Sequence, residues 1–191
     1  MLIFVALSFL FVITSSQGPP DPSNDAAVAR YVIHNSDWAS MATISTLNAT
    51  LNYPFVSVKS MADGPSSNGT GVPYFYITPR EVSGQDIQRD NRVTIMATLA
   101  QSDYCAQQSL DPQSPRCPRA IISGRLVEIP QNASDYQFAR DSLFSRHPGM
   151  DSWPAALRFY VAKLNIEQVL VWAQVGRMRN VPLSDYFNPP A

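Results

Sequence analysis

Short segments of alternating apolar and small polar residues dominate the first half of this chain. Residues 38–47, 54–61 and 72–78 each alternate in this way. Clusters of glycine, proline and asparagine separate them, as in the loop D63-G-P-S-S-N-G-T-G71. Because successive side chains of a strand point to opposite faces of a sheet, the pattern predicts consecutive antiparallel strands. A chain built in this way folds as a β-barrel or a β-sandwich.

The second half of the chain continues the pattern. The alternation is most regular over residues 92–100, where every second residue from Val93 to Leu99 is apolar. Further strands are predicted over residues 117–129, 158–166 and 168–175. Gly124 lies in the middle of the first of these, where a glycine indicates a β-bulge or the close approach of another backbone. The expected total is six or seven strands.

Three short helices accompany the strands, which makes the expected fold mainly β with short helices (α+β). Ser23 or Asn24 is a candidate cap for a helix over residues 25–35. Ser83 and Asp86 resemble a capping pair for a helix that ends at Arg89. The third helix is expected to begin at a Ser134 cap and to end near Arg146, before Pro148.

The amino terminus carries a targeting signal. Residues Met1 to Ile13 are almost wholly apolar, and small residues follow from Thr14 to Gly18. A helix that spans a bilayer needs about 20 apolar residues, so this run is too short. It is typical of a signal peptide, assigned here to residues 1–17. Because no Lys or Arg precedes the run, an uncleaved anchor is the alternative; no later segment is apolar enough to span a membrane.

Composition divides the remaining chain into three parts. Residues 18–24 form a proline-rich linker that does not sustain a helix. Residues 25–176 contain the predicted strands and helices and are expected to form one domain. Residues 177–191 include three prolines and are expected to form an irregular tail.

Two further features agree with secretion. Acceptor motifs for N-glycosylation occur at Asn48, Asn68 and Asn132, each in a predicted loop. The two cysteines, Cys105 and Cys117, flank a stretch rich in Ser, Gln and Pro. In an oxidising compartment such a pair is expected to form a disulfide, and the alternative is two unpaired, buried cysteines.

Charge and motifs exclude several classes of function. The net charge is −1 and the twelve arginines are scattered, so no basic track for nucleic acid is present. The two histidines, His34 and His147, lie outside any His-Glu-x-x-His motif, and no Cys-x-x-Cys occurs, so a metal site of usual spacing is not expected. His147 is assigned a capping or core role at a helix end. No catalytic residue is assigned.

Several segments resemble those of the CREG family of secreted glycoproteins. They are the strands from Trp38 to Thr78, followed by S83-G-Q-D-I-Q-R-D-N91, R92-V-T-I-M-A-T-L-A100, D111-P-Q-S-P-R-C117 and R146-H-P148. These segments occur in family order from about Asp25 to about Val175. The resemblance implies the FMN-binding split barrel of the pyridoxamine-phosphate-oxidase type, a fold that usually pairs two subunits. A homodimer is therefore expected.

The resemblance also bears on the cofactor. A flavin phosphate is held by Arg, Lys and hydroxyl groups that converge from neighbouring strands. The candidates in this chain are Lys59, Ser60, Arg80, Ser123 and Arg125. CREG proteins are understood to have lost the cofactor, since a family-specific loop occupies part of the cleft. The matching segment here is Cys105 to Cys117, so no flavin is expected.

The function implied is that of a secreted or endolysosomal, non-enzymatic glycoprotein that binds other proteins and influences cell growth and differentiation. One alternative is an FMN-dependent oxidoreductase on the same fold, and another is an extracytoplasmic structural domain. Expected partners besides a second copy are a cell-surface receptor or a sorting receptor of the mannose-6-phosphate type. In K163-L-N-I-E167, however, Glu167 removes the acceptor motif found at the equivalent Lys-Leu-Asn of many relatives, which puts glycan-dependent sorting in doubt.

Overall fold

Seven antiparallel strands, five α-helices and four short 3₁₀-helices make up the computed structural model, which describes residues 18–190. The strands are β1 (Trp38–Ile44), β2 (Pro54–Ala62), β3 (Tyr74–Ile77), β4 (Arg92–Thr98), β5 (Arg119–Glu128), β6 (Tyr160–Trp172) and β7 (Arg179–Val181). The helices are α1 (Asp25–His34), α2 (Val82–Arg89), α3 (Tyr104–Gln107), α4 (Tyr136–Arg146) and α5 (Leu183–Phe187). The predicted signal peptide lies outside the described residues. No helix within them is long and apolar enough to cross a membrane.

The strands close into a barrel. Their order in the sheet is β3-β2-β1-β4-β5-β6-β7, and β3 also pairs with β6, so that six strands form a ring and β7 extends it. The first residues of β6 pair with β3, and its last residues pair with β7. Closure leaves the ring without a free edge. The predicted fold, a mainly β barrel of six or seven antiparallel strands, is confirmed.

The core follows from the alternation along the strands. Ile95 and Ala97 on β4 are fully buried inside the barrel, as the sequence predicted. The buried face of α1, which includes Val28 and Val32, packs against the same cluster. A second cluster lies between α4 and the barrel, where Leu143 packs with the outward side of β3 and β6. The barrel therefore has one filled interior and one helix-covered outer patch.

The two strands predicted over residues 158–166 and 168–175 form the single strand β6, so that prediction is wrong. In the sequence, the polar pair Glu167–Gln168 resembles a break between two strands. In the structure, the register with β5 shifts here: Ser123 pairs with Gln168 and Gly124 with Ile166, which leaves Glu167 as the additional residue of a β-bulge. A β-carbon on Gly124 would lie 2.1 Å from the Asn165 carbonyl oxygen. The predicted close approach at Gly124 is confirmed.

Two of the three predicted helix caps are also wrong. Asn24 does cap α1, since its side chain accepts a hydrogen bond from the Ala27 amide at 3.1 Å. Ser83 and Asp86 do not cap α2, whose N-cap is Glu81. Helix α4 begins at Tyr136, and its N-cap is Asp135 rather than Ser134. A capping motif in sequence gives no information on whether a tertiary partner competes for the side chain.

The tail over residues 177–191 was predicted to be irregular, which is wrong for its described part, because this part contains β7 and α5. Tyr186 on α5 is fully buried, and its hydroxyl donates to the Gly71 carbonyl oxygen at 2.7 Å. Arg30 on α1 donates to the Tyr186 carbonyl oxygen at 3.3 Å and stacks over the Tyr186 ring. These long-range contacts, which local propensity does not report, attach the tail to the domain.

Candidate functional site

The five candidate phosphate-binding residues do not converge. Lys59 on β2 is directly opposite Ala39, which is buried in the barrel, so the lysine also faces inward. Only 7% of Lys59 is exposed, and its ammonium forms an ion pair with Glu81 at the start of α2. Ser60 is opposite Trp38 and faces outward, and Arg80 is exposed in the turn after β3.

Arg125 and Ser123 lie on the outer face of β5. The Arg125 guanidinium donates to Glu167 at 3.0 Å and to the Asn91 side-chain oxygen at 3.2 Å. The hydroxyl groups of Ser123 and Thr94 are 2.8 Å apart and hydrogen-bonded. The inward Lys59 and the outward Arg125 therefore belong to opposite faces of the barrel wall, and each is paired with a different carboxylate.

A groove of about 500 Å³ lies between α2 and the strands β5 and β6. Its lining carries Arg89 and Arg125 but also Asp90 and Glu128. Tyr160 closes one side, and burial raises the pKa of its phenol, which keeps the group neutral. Because the opposite charges offset one another, the groove lacks the cationic set that a phosphate dianion requires.

Cys105 and Cys117 form a disulfide bond, with their Cα atoms 5.5 Å apart. The loop between them is attached to β5, since Arg119 donates to the carbonyl oxygens of Pro112 at 3.0 Å and Ser114 at 2.7 Å. The Arg119 guanidinium also stacks over the Trp172 ring. The loop is thus fixed at one end of the barrel. Its occupation of a flavin cleft stays a prediction.

The three predicted glycosylation sites lie in connections between the strands and α-helices, Asn48 in a short 3₁₀-helix. Asn48 lies in the connection between β1 and β2, Asn68 precedes β3, and Asn132 precedes α4. All three side chains are exposed, as attachment of a glycan requires. Glu167 is exposed and binds Arg125.

The histidines have structural surroundings. His147 follows α4, and because a carbonyl oxygen only accepts hydrogen bonds, its Nε2 donates to the Met61 carbonyl at 3.0 Å. His34 ends α1 and contacts Asp63 at 2.8 Å. Within residues 18–190, no group of three or more His, Cys, Asp or Glu side chains could hold a metal ion. Sequence analysis assigned no role to His34 because Asp63 lies 29 positions away.

Sequence analysis also missed an apolar surface on the outside of the barrel, here called the outer sheet face. It comprises Ile44 on β1, Val56 and Val58 on β2, and Met96 on β4. Val58 and Met96 are both opposite Ser40, so their side chains lie in one row across three strands. Val56 and Val58 are 62% and 64% exposed. The alternation in β2 signalled one buried face and did not indicate that the other face was apolar as well.

A second exposed apolar feature is the run W153-P-A-A-L157, here called the surface segment. All of its residues are exposed, with Trp153 at 41% and Leu157 at 37%. The Trp153 ring packs against Tyr76 and Phe159, with ring centroids 5.9 and 4.8 Å away. Thr78 donates a hydrogen bond to the Leu157 carbonyl oxygen. The segment is therefore held in place from both ends while its apolar groups face solvent.

Comparisons with known proteins agree with the fold. A protein of Mycobacterium smegmatis described as a heme binding protein superposes with a TM-score of 0.66 at 16% identity, covering 88% of this chain and 61% of that chain. A FAD-binding protein of Mesorhizobium loti superposes with a TM-score of 0.51 at 16% identity, covering 75% of this chain and 90% of that chain. At this identity the likenesses show the fold alone, which is the split barrel.

Comparisons of sequence find relatives with higher identity to this chain. Human Protein CREG1 is 42% identical over 176 residues, which cover 91% of this chain and 79% of the human protein. The family model described as "CREG, beta-barrel" matches residues 20–188. A match over nearly all described residues, together with this identity, shows that the chain belongs to the CREG family.

Proposed function

We propose that this protein is a secreted or endolysosomal glycoprotein that acts without catalysis, by binding other proteins, and thereby influences cell growth and differentiation. Membership of the CREG family supports this proposal, as does the separation of the cationic side chains described above. The observation that carries it is the surface segment. A rigid, exposed apolar run of this kind marks a protein-binding surface more often than a catalytic one.

The contacts of the surface segment explain why a partner would bind there with little loss of entropy. The Trp153 ring stacks on the Tyr76 ring. The Phe159 ring also stacks on Tyr76, with the two ring centroids 4.8 Å apart. The Arg140 guanidinium lies 4.2 Å from the Phe144 ring at its side. Aromatic and arginine side chains at fixed positions are the residues that contribute most to protein interfaces. Trp153 is therefore the proposed anchor.

The test is saturable binding of the labelled, secreted protein to cultured cells. The variant Trp153→Ser with Leu157→Ser is expected to weaken binding by at least about tenfold, as loss of an aromatic anchor does. Val175→Ser is the matched control, because Val175 is an exposed apolar residue outside the segment. Circular dichroism confirms that each variant is folded. Equal binding by the double variant and the control would contradict the proposal.

A second copy of the chain is the proposed occupant of the outer sheet face. None of the three acceptor asparagines lies on a strand, so no glycan is attached to a strand residue of this face. Its four exposed apolar side chains favour burial against another apolar surface. A homodimer formed in this way involves barrel strands and leaves the Cys105–Cys117 disulfide within one chain.

The second candidate function is that of an FMN-dependent oxidoreductase. The observation in its favour is the fold, which the chain shares with a FAD-binding protein. An absorbance scan of the purified protein, after incubation with FMN and dialysis, separates the two candidates. The proposed function predicts no retained flavin band. Saturable flavin binding in the micromolar range would overturn it and support the oxidoreductase.

A further inference from the structure

His34 joins the end of α1 to the loop before β3. Its Nδ1 atom lies 2.8 Å from the Asp63 Oδ1 atom, and its Nε2 atom lies 3.1 Å from the Ser66 carbonyl oxygen. The loop over residues 63–71, here called the latch loop, also contains the glycosylation motif at Asn68. The imidazole is 24% exposed, whereas the Asp63 carboxylate is fully buried. One ring therefore holds two points of the latch loop, one deep and one near the surface.

The identity of the two acceptors fixes the protonation of His34. A carbonyl oxygen only accepts hydrogen bonds, so Nε2 must carry a proton to bond Ser66. An ionised carboxylate also only accepts, so Nδ1 must carry a proton to bond Asp63. A neutral imidazole has one N–H, and only the imidazolium has two. The observed pair of hydrogen bonds thus belongs to the charged form.

Of the charged groups around the ring, the Asp63 carboxylate favours this form and the Arg146 guanidinium opposes it. Asp63 lies in the latch loop, Arg146 approaches from α4, and Arg30 lies one turn earlier on α1. The Arg146 Nη1 atom is 3.6 Å from the Asp63 Oδ1 atom, and its Nη2 atom is 3.0 Å from Asp37 Oδ1. The hydrogen bond to Asp63 raises the pKa of His34, while burial and the Arg146 charge partly oppose this. Asp63 is the dominant neighbour.

We propose that His34 is a pH-sensitive latch, which holds the latch loop against α1 at acidic pH and releases the tip of the loop as the pH rises. Deprotonation leaves one N–H for two acceptors. The bond to Asp63 is retained, because a buried carboxylate that loses one of its donors costs more than an exposed carbonyl that water can solvate. The bond to Ser66 is the one lost.

The released part of the loop is short. Asp63 remains held by the Gly71 amide, which donates to its Oδ2 atom at 3.1 Å, and Arg30 donates to the Gly69 carbonyl oxygen at 2.6 Å. Residues 65–68 therefore move while both ends of the loop stay fixed. The acceptor Asn68 lies in this tip, so the latch sets the mobility of the segment that presents the glycan. The inference goes beyond the proposed function and does not depend on it.

The direction of the pH dependence follows from the raised pKa. A histidine whose pKa is higher in the folded than in the unfolded protein stabilises the fold fully below its ordinary value of about 6.5. That stabilisation is lost as the pH rises through the higher, folded-state pKa. The latch is thus closed in acidic compartments and opens toward neutral and alkaline pH.

The test is amide hydrogen exchange of the secreted, glycosylated protein at pH 5 and pH 8, corrected for the intrinsic exchange rate. The protection factors of the amides of residues 66–68 are expected to be about three- to tenfold lower at pH 8 than at pH 5, the ratio that follows from loss of one hydrogen bond. In His34→Gln, protection should be low and equal at both pH values. His147→Gln is the matched control and should retain the pH dependence.

Two results would overturn the proposal. One is equal protection of the amides of residues 66–68 at pH 5 and pH 8 in the unaltered protein, and the other is a pH dependence that persists in His34→Gln. Should that variant fail to fold, nitrogen NMR of the unaltered protein decides. The latch predicts that His34 loses one ring proton between pH 5 and pH 8 and that the amide resonances of residues 66–68 shift with the same midpoint. A titration of the ring that leaves these resonances unchanged contradicts it.

Discussion

Asp86 is a fully buried carboxylate whose two oxygens connect α2 to the end of β1. Its Oδ1 atom accepts from the Thr46 amide and hydroxyl, each at 2.7 Å, and its Oδ2 atom accepts from the Thr43 hydroxyl at 2.7 Å. Three short hydrogen bonds to an ionised acceptor are stronger than the same bonds to a neutral one. This one side chain therefore fixes both the helix and the turn that follows β1.

We predict that Asp86→Ala lowers the free energy of unfolding by about 3 kcal/mol, because three donors, which belong to the buried Thr43 and the half-buried Thr46, lose their acceptor. Asp86→Asn should cost less, about 1 kcal/mol, since the amide oxygen still accepts and the Thr43 hydroxyl can reverse its role. Urea unfolding measures both. Asp103→Ala is the exposed control, and an equal midpoint for Asp86→Ala and this control would refute the assignment.

Among the elements, the strand β6 stays continuous because it accommodates Glu167 as the additional residue of a β-bulge. The 13-residue strand pairs with three neighbours, and it can continue past the register shift because Gly124 has no β-carbon. The carbonyl of Asn165 occupies the space that such an atom would need. The bulge and the glycine are thus two parts of one feature.

We predict that Gly124→Ala destabilises the protein by about 3 kcal/mol, because the new methyl group must displace the backbone of β6 rather than a flexible side chain. Gly149→Ala is the matched control, since a β-carbon at Gly149 meets no atom within 4 Å. Thermal unfolding compares the two. A melting temperature for Gly124→Ala equal to that of the control would show that β5 and β6 separate easily at this point.

How far the elements could be predicted from sequence depended on the range of the interaction responsible. The buried residues of β4 and the Asn24 cap follow from patterns within ten residues, and both predictions are confirmed. The role of Asp86 could not be predicted, because its partners lie about 40 positions earlier. The burial of Tyr186, which holds the tail, likewise depends on Gly71, 115 positions away. The five phosphate candidates failed to converge because sequence does not give the barrel face to which each one points.

On the whole molecule, the outer sheet face is an exposed apolar surface that extends across β1, β2 and β4. Val58, Ser40 and Met96 are direct cross-strand neighbours and form one row across the three strands. Two valines more than 60% exposed side by side are unfavourable in water, by about 25 cal/mol for each Å² of apolar surface. A second copy that covers this row with its own would remove that surface from water on both chains.

We predict that Val56→Asp together with Val58→Asp converts the proposed homodimer into a monomer while the barrel stays folded. Each valine points away from the core, so the new carboxylates are solvated in the monomer, but in a dimer they would be buried without a partner, which is costly. Light scattering at micromolar concentration measures the mass of the unaltered protein and of the variant.

Val175→Asp, also at an exposed valine, should remain dimeric. Cys105→Ser with Cys117→Ser should remain dimeric as well, since that disulfide lies within one chain. A monomer mass for the unaltered protein would refute the dimer itself, whereas a dimeric Val56→Asp, Val58→Asp variant would place the interface elsewhere on the molecule.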